Sequence, residues 1–249
     1  MKKILALIMA LVMLVACFAG CSSEKKLIED GKLIMGTNAA FAPYEYTDSE
    51  GNIIGIDVEI AKAVAEKLGL ELEIKDMDFD SLLTAVGGSV DIVLAGLTVT
   101  DERKEKVDFT QTYAKGVQVI IVKDDSDIKD ADGLEGKKIG VQAGTTGDMY
   151  CTDDFGQENV SQHKNGALAI EALKNGQVDC VVIDNEPAKV FVSQNKGLKI
   201  LDTEYVVEDY AAAVRKGNTE LLDEVNNAMK ELTEDGTIDK ILGKYIKAE

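Results

Sequence analysis

This 249-residue sequence predicts a two-lobed α/β architecture, each lobe a mostly parallel sheet flanked by helices, with a cleft between them. Three observations point to it. Short strand-like apolar runs alternate with amphipathic helical ones along most of the chain. "LLTAVGGSVDIVLAG" and "IEALKNGQVDCVVID" superpose with Gly88 on Gly176, Val90 on Val178 and Asp91 on Asp179, so one segment of the second half nearly repeats one of the first, which suggests two similar lobes. No Pro-rich or low-complexity linker separates the halves, which fits two short strand-like crossovers acting as a hinge.

The elements follow in order. "KLIMGTN" reads as a strand, and "GIDVEIAKAVAEKLG" as a helix with Ile56, Ile60, Val64 and Leu68 on one face and Gly69 as its stop. "LELEIKDM" is a strand, "FDSLLTAVGG" a helix and "VDIVLAGL" a buried strand. This βαβαβ order implies right-handed crossovers. A second series begins near Lys115: "GVQVIIVK", "KKIGVQAG", "ALAIEALKNG", "VDCVVID", "PAKVFVSQNKG" and "LKIL". "TELLDEVNNAMKELTEDGTIDKILGKYI" closes the chain as a helical region divided at Gly236.

Before these elements lies "MKKILALIMALVMLVACFAGCSSEKK", with Lys2 and Lys3 ahead of an apolar run. At about sixteen residues that run is short for a membrane span and reads as a secretory signal. Cys21 follows the small residues Ala19 and Gly20, which resembles a bacterial lipoprotein signal with Cys21 acylated. Phe18 departs from that pattern, and "LVAC", ending at Cys17, is the alternative. Either cysteine implies a globular part held outside the cytoplasmic membrane by lipid.

A formal net charge of -18 argues against nucleic-acid binding, which needs clustered Lys and Arg. Cys151 and Cys180 leave two readings open, a disulfide in an exported protein or small buried hydrophobes. No Cys/His grouping has metal-ligand spacing. The single His163 sits in the polar, loop-like "SQHKNG", so neither a metal, a cofactor nor a catalytic imidazole is expected.

In open α/β sheets ligands bind beyond the carboxyl ends of strands, where helix N-termini present free N–H groups. Four such ends share a character: "GTNAAFAPYEY", with Asn38 and Phe41; "LAGLTVTDERK", with Thr98, Thr100 and Arg103; the turn "GVQAGTTGD"; and "VVIDNEP", with Asp184. Together they offer a fixed cation, hydroxyl and backbone donors, a carboxylate and an aromatic face. An α-amino acid is complementary to that set.

In these stretches and their order, residues 27–249 resemble the extracellular amino-acid-binding proteins that serve ABC transporters, the polar amino-acid group of type II periplasmic binding proteins. The resemblance implies ligand capture in the cleft without catalysis, delivery to a membrane permease, and a monomer. Carried over residue by residue, it implies a ligand carboxylate held by Arg103, Thr98, Thr145 and Thr146, and a ligand ammonium held by Asp184 and the Gly96 backbone. The side-chain pocket falls on Asn38, Phe41, Phe79 and Gln142, with Tyr44 and Glu45 near the cleft mouth. Asp184 has a rival reading as the N-cap of the helix at "NEPAK", and could serve both roles. Asn38, where binders of cationic side chains often carry Asp, weighs against lysine or arginine. Gln142 and Ala143, where a glutamine binder would show Lys, weigh against glutamine.

On this reading residues 1–20 are a lipoprotein signal and 21–26 a lipid-anchored linker. Residues 27–113 and 210–249 form the first lobe, and 114–209 the second. Arg103 and Thr98 then face Asp184 and Thr146 across the cleft, so tight binding requires closure. Two alternatives share the fold: a secreted enzyme resembling cyclohexadienyl dehydratase, for which Glu45 is the candidate acid, and an amino-acid sensory module.

Overall fold

A computed structural model describes residues 26–246, so the leader and both candidate acylation cysteines lie outside the described residues. After β1 (Lys32–Thr37) comes a small antiparallel sheet, β2 (Ala40–Phe41), β3 (Glu45–Thr47) and β4 (Ile53–Ile54). Then follow α1 (Ile56–Leu68), β5 (Glu71–Asp76), a 3₁₀ turn at Phe79–Ser81 running into α2 (Leu82–Ala85), β6 (Ile92–Val93) and α3 (Asp101–Lys106). The long β7 (Val107–Lys123) leads to β8 (Ile139–Gln142), α4 (Thr146–Phe155), β9 (Val160–His163), α5 (Gly166–Lys174), β10 (Cys180–Asp184), α6 (Asn185–Gln194) and β11 (Leu198–Ile200). β12 (Val206–Arg215), α7 (Thr219–Glu234) and α8 (Thr237–Tyr245) complete the chain.

One large sheet runs β5-β1-β6-β12-β7-β10-β8-β9, with β11 also paired to β7. Its flanks are parallel: β1 with β5 and β6 on one side, β8 with β9 and β10 on the other. Each flank is the sheet of one lobe. They are joined by the antiparallel pair β7 and β12, which run from Val206 opposite Gln118 to Arg215 opposite Val107. The crossovers are therefore long strands rather than the short ones expected, and β7 begins at Val107, ahead of Lys115. The charged "VDFTQTYAK" hides this strand in the sequence, while pairing with β12 satisfies its backbone.

Local chemistry explains most boundaries. Ile56, Ile60 and Val64 of α1 are buried as their spacing requires, and Gly69 ends the helix in the left-handed conformation. Thr100, Thr145, Asn165, Asp184 and Asn218 cap α3, α4, α5, α6 and α7 by accepting backbone N–H groups. Gly236 divides α7 from α8 at the expected place. The run Val90–Leu97 is buried throughout, although only Ile92–Val93 forms the ladder.

The repeated motif does the same work twice. Asp91 accepts from the N–H of Ile34 at 2.9 Å, and Asp179 accepts from that of Lys138 at 2.8 Å, tying each strand start to its neighbour. The left-handed glycines are Gly87 and Gly176, so the first turn places its flexible residue one position earlier than the superposition gives.

Apolar clusters fill both faces of each lobe's sheet. In the first, α1, α7 and α8 cover one face and Leu82 of α2 the other. In the second, α5 and Ala188 of α6 cover one face, and Cys151 and Cys180 join Ile139 and Val182 on the other. Both cysteines are free and fully buried, and burial pushes the Cys151 thiol up to about 12, so they serve as small hydrophobes rather than a disulfide. His163 ends β9 rather than sitting in a loop, half-buried beside the Ser161 hydroxyl at 3.2 Å. Among the described residues no helix is long and apolar enough to cross a membrane, and no group of three or more His, Cys, Asp or Glu could hold a metal ion.

Candidate functional site

The cleft between the flanks is lined by Asn38, Phe41, Phe79, Gly96, Thr98, Arg103, Gln142, Thr145, Thr146 and Asp184, all expected from sequence, together with Ala95, Gln118, Val182, Ile183 and Tyr210. Their positions follow from strand ends: β6 leads into Gly96 and Thr98, β8 into Thr145 and Thr146, and β10 into Asp184.

Arg103 is held by the short helix α3. Thr100 accepts its backbone N–H at 3.1 Å, and helical periodicity turns the side chain inward while its neighbours face solvent. Those neighbours pair among themselves, Asp101 with Lys104 at 3.0 Å and Glu102 with Lys106 at 2.7 Å. The guanidinium, on a residue only 3% exposed, donates from Nη1 to the Thr98 carbonyl at 2.8 Å and from Nη2 to the Gly144 carbonyl at 3.1 Å. It lies 5.5 Å from the centre of the Phe79 ring. Burial lowers its pKa, and the field of Glu208 opposes that effect. Arg103 forms no ion pair among the described residues.

The loop receiving that second bond is itself tied down. Asp148 accepts the Gly144 N–H at 2.9 Å and the side-chain amide of Gln162. The Thr145 hydroxyl donates to the Gln142 carbonyl at 2.8 Å and accepts from the Asp148 N–H, so it works as a cap as well as a cleft residue. Thr98 and Thr146 hydroxyls stand 3.5 Å apart across the cleft, and Thr98 donates to Glu208 at 3.0 Å.

Asp184, 1% exposed, serves as the N-cap of α6, accepting the Glu186 N–H at 3.2 Å through Oδ1. Its other oxygen accepts the Tyr210 hydroxyl. The N-cap role and the cleft position therefore coexist in one residue. Burial raises its pKa to about 7 even though both hydrogen bonds pull it down. This meeting requires Gly116 on β7, where a Cβ would collide with the Asp184 carboxylate and the Tyr210 hydroxyl.

At the far end, the Asn38 amide donates to the Met77 carbonyl at 2.8 Å and accepts from Gln142 Nε2 at 3.0 Å, joining the lobes. Gln142 Oε1 is buried without a partner. Phe41 packs against the cores of both lobes. Outside, Lys164 pairs with Asp78 at 3.1 Å across the cleft edge.

Tyr44 and Glu45 are not at the cleft mouth. Both are 0% exposed and neither lines the cavity, because β3 turns Glu45 inward onto the first turn of α1 and Tyr44 stacks behind Phe41. Glu45 is thus not an acid poised over a ligand. Sequence reasoning passed over Gln118, Glu208 and Tyr210, which lie on the two long central strands. A glutamine inside the apolar run "GVQVIIVK" was the available signal.

The sequence profile of the bacterial extracellular solute-binding proteins, family 3, matches residues 33–248. The chain is 37% identical to the arginine-binding extracellular protein ArtP of Bacillus subtilis, covering 100% of both sequences. It is 36% identical to a probable histidine-binding protein of Neisseria gonorrhoeae, over 86% of this chain and 83% of that one. The solved structure of an ancestral arginine-binding protein bound to glutamine superposes with a TM-score of 0.84 at 42% identity, covering 88% of this chain and 100% of that one. These relatives are named as binding proteins and not as enzymes, and the two-lobed fold with its ligand cleft is theirs. The chain is a non-enzymatic, extracytoplasmic solute-binding protein and belongs to the bacterial extracellular solute-binding proteins, family 3.

Proposed function

We propose that this protein captures a polar L-amino acid by closing its lobes, residues 27–113 with 210–249 and residues 114–209, and delivers it to the permease of an ABC transporter. Lipid on Cys21, or on Cys17, tethers it to the membrane. One observation carries the reading: a nearly buried Arg103, whose guanidinium hydrogen-bonds among the described residues only to carbonyl groups, shares a cavity with a buried Asp184. The ligand carboxylate lies on Arg103, Thr98 and the Thr145–Thr146 turn, and the ligand ammonium lies between Asp184 and the Gly96 carbonyl. Each charge-assisted hydrogen bond is worth roughly 1.5–3 kcal/mol when made. The two poles come from different lobes, so the ligand's differential affinity for the closed form shifts the equilibrium toward it.

Among the described residues Arg103 and Asp184 are the only charged groups lining the cavity, and the zwitterion uses both. The remaining end is neutral, with the unpaired Gln142 Oε1 calling for a donor. This favours a neutral side chain bearing N–H or O–H groups. A cationic side chain is the second reading, supported by the Phe41 and Phe79 rings lining the cavity and by the arginine specificity that ArtP's name records.

A thermal-shift screen against the common amino acids, with ornithine and cystine, tests both. At about 100 times its dissociation constant the ligand raises the melting temperature by roughly 5–10 °C. Response to glutamine or asparagine supports the first reading and response to arginine or lysine the second. No response to any compound overturns the proposal.

A further inference from the structure

Behind the cleft wall the first lobe buries two carboxyl groups together. Glu45 and Asp57 are both 0% exposed, and the Asp57 N–H donates to the carbonyl of Tyr44 at 2.9 Å, which brings the two side chains together. Counted as carboxylates they leave Glu45 Oε1 and Oε2 and Asp57 Oδ1 without partners. A proton carried by Glu45 and donated to Asp57 converts that repulsion into a bond, and two unprotonated carboxylates in contact inside a core are not sustainable. The ionisable groups whose fields reach the pair are Tyr44, Tyr113 of β7, Asp184 of β10 and, from the surface, Asp76 of β5, all acids or phenols, so no cation there stabilises a second negative charge.

The pair also has an outlet. Asp57 Oδ2 accepts the Tyr113 hydroxyl at 2.7 Å and the backbone N–H of Gly96 at 2.8 Å. Gly96 lines the cavity with φ of 54°, and a Cβ there would stand 2.8 Å from the Phe41 ring. Its peptide plane is therefore fixed by Asp57 on one side and by the aromatic wall on the other.

We propose that Glu45 and Asp57 share a single proton, and that this acid pair is the positioning element for the Gly96 backbone at the ligand cleft. For its consequence in binding, the inference rests on the reading that the Gly96 carbonyl faces the ligand ammonium. Burial, helped by the neighbouring acids, pushes Glu45 well above the usual carboxylate range, whereas burial alone raises Asp57 to about 6 against the hydrogen bonds from Gly96 and Tyr113, in line with one retained proton. A carboxyl raised on folding contributes its full stability below its ordinary pKa and loses it as pH rises through the folded value.

The test needs no ligand. Glu45→Gln keeps a donor toward Asp57 but cannot lose a proton, so melts of the wild-type protein should fall behind those of Glu45→Gln, the gap widening by at least about 3 °C from pH 5 to pH 9. In ¹H–¹⁵N spectra the Gly96 amide, bonded to Asp57, should titrate with a different midpoint in the wild type and in Glu45→Gln, a readout that a purely structural Glu45 would not move. Parallel melting profiles, or a Gly96 amide that titrates equally in both, overturn the proposal. If Glu45→Gln does not fold, the wild-type ¹³C carboxyl resonance of Glu45 at pH 7 decides: a protonated acid supports the shared proton and a carboxylate refutes it. These outcomes are independent of whether any amino acid binds.

Discussion

The two lobes start from the same device and diverge where they line the cleft. In each, an aspartate that follows the helix–strand turn glycine, by four residues after Gly87 and three after Gly176, pins the start of a parallel strand, Asp91 on Ile34 and Asp179 on Lys138. Beyond the strands the first lobe presents a cation on a short helix, with an acid pair buried behind it. The second presents an acid that caps a helix directly. A shared frame thus fixes where groups can stand, and the few residues past each strand end decide their sign.

The comparison can be broken at either pole. Arg103→Ala should have the largest effect, lowering amino-acid affinity in calorimetry by about 100-fold or more, since two charge-assisted bonds are lost. Its melting temperature should change little, because the carbonyls of Thr98 and Gly144 reopen to solvent. Near-normal affinity would remove Arg103 from the site. Asp184→Asn should come next, with a loss of about 10- to 100-fold from the removed charge, while asparagine preserves the cap of α6. A loss of stability without loss of affinity would reduce Asp184 to its capping role.

The same residue sharpens the contrast through pH. Asp184 is raised to about 7, so the protonated form stabilises the ligand-free fold at low pH, and that contribution is lost as pH rises through about 7. Ammonium binding needs the carboxylate, so affinity should climb from pH 6 to pH 8 as ligand-free stability declines. Asp184→Asn should flatten both trends. Arg103 stays charged throughout that range, so the first lobe's pole is insensitive to it. Lys164→Ala, which removes the ion pair with Asp78 at the half-exposed to exposed cleft edge, should have the smallest effect, under about threefold in affinity.

Much of this was legible in the chain itself. The spacing of Ile56, Ile60 and Val64 gave a helix and its buried face, and the placement of Arg103 after a buried run and two threonines gave its inward role. The acids beside it, Asp101 and Glu102, pair instead with Lys104 and Lys106 at helical spacing. In "APYEYTDSEGN" Tyr44 and Glu45 are expected near the cleft mouth, yet the stretch folds both into the core. No local pattern distinguishes a carboxyl kept protonated inside from one solvated outside.

What the sequence by itself determined is therefore what short-range physics controls: periodicity, caps, turn glycines and the residues at strand ends. What only the tertiary structure decided is which distant groups those residues meet. The Tyr210 hydroxyl on Asp184, Glu208 beside Thr98, and Asp57 beneath Gly96 join positions 26, 110 and 39 residues apart. Such partners are selected by the pairing of β7 with β12 and by burial, which strengthens every electrostatic contact inside and leaves no trace in the adjacent sequence.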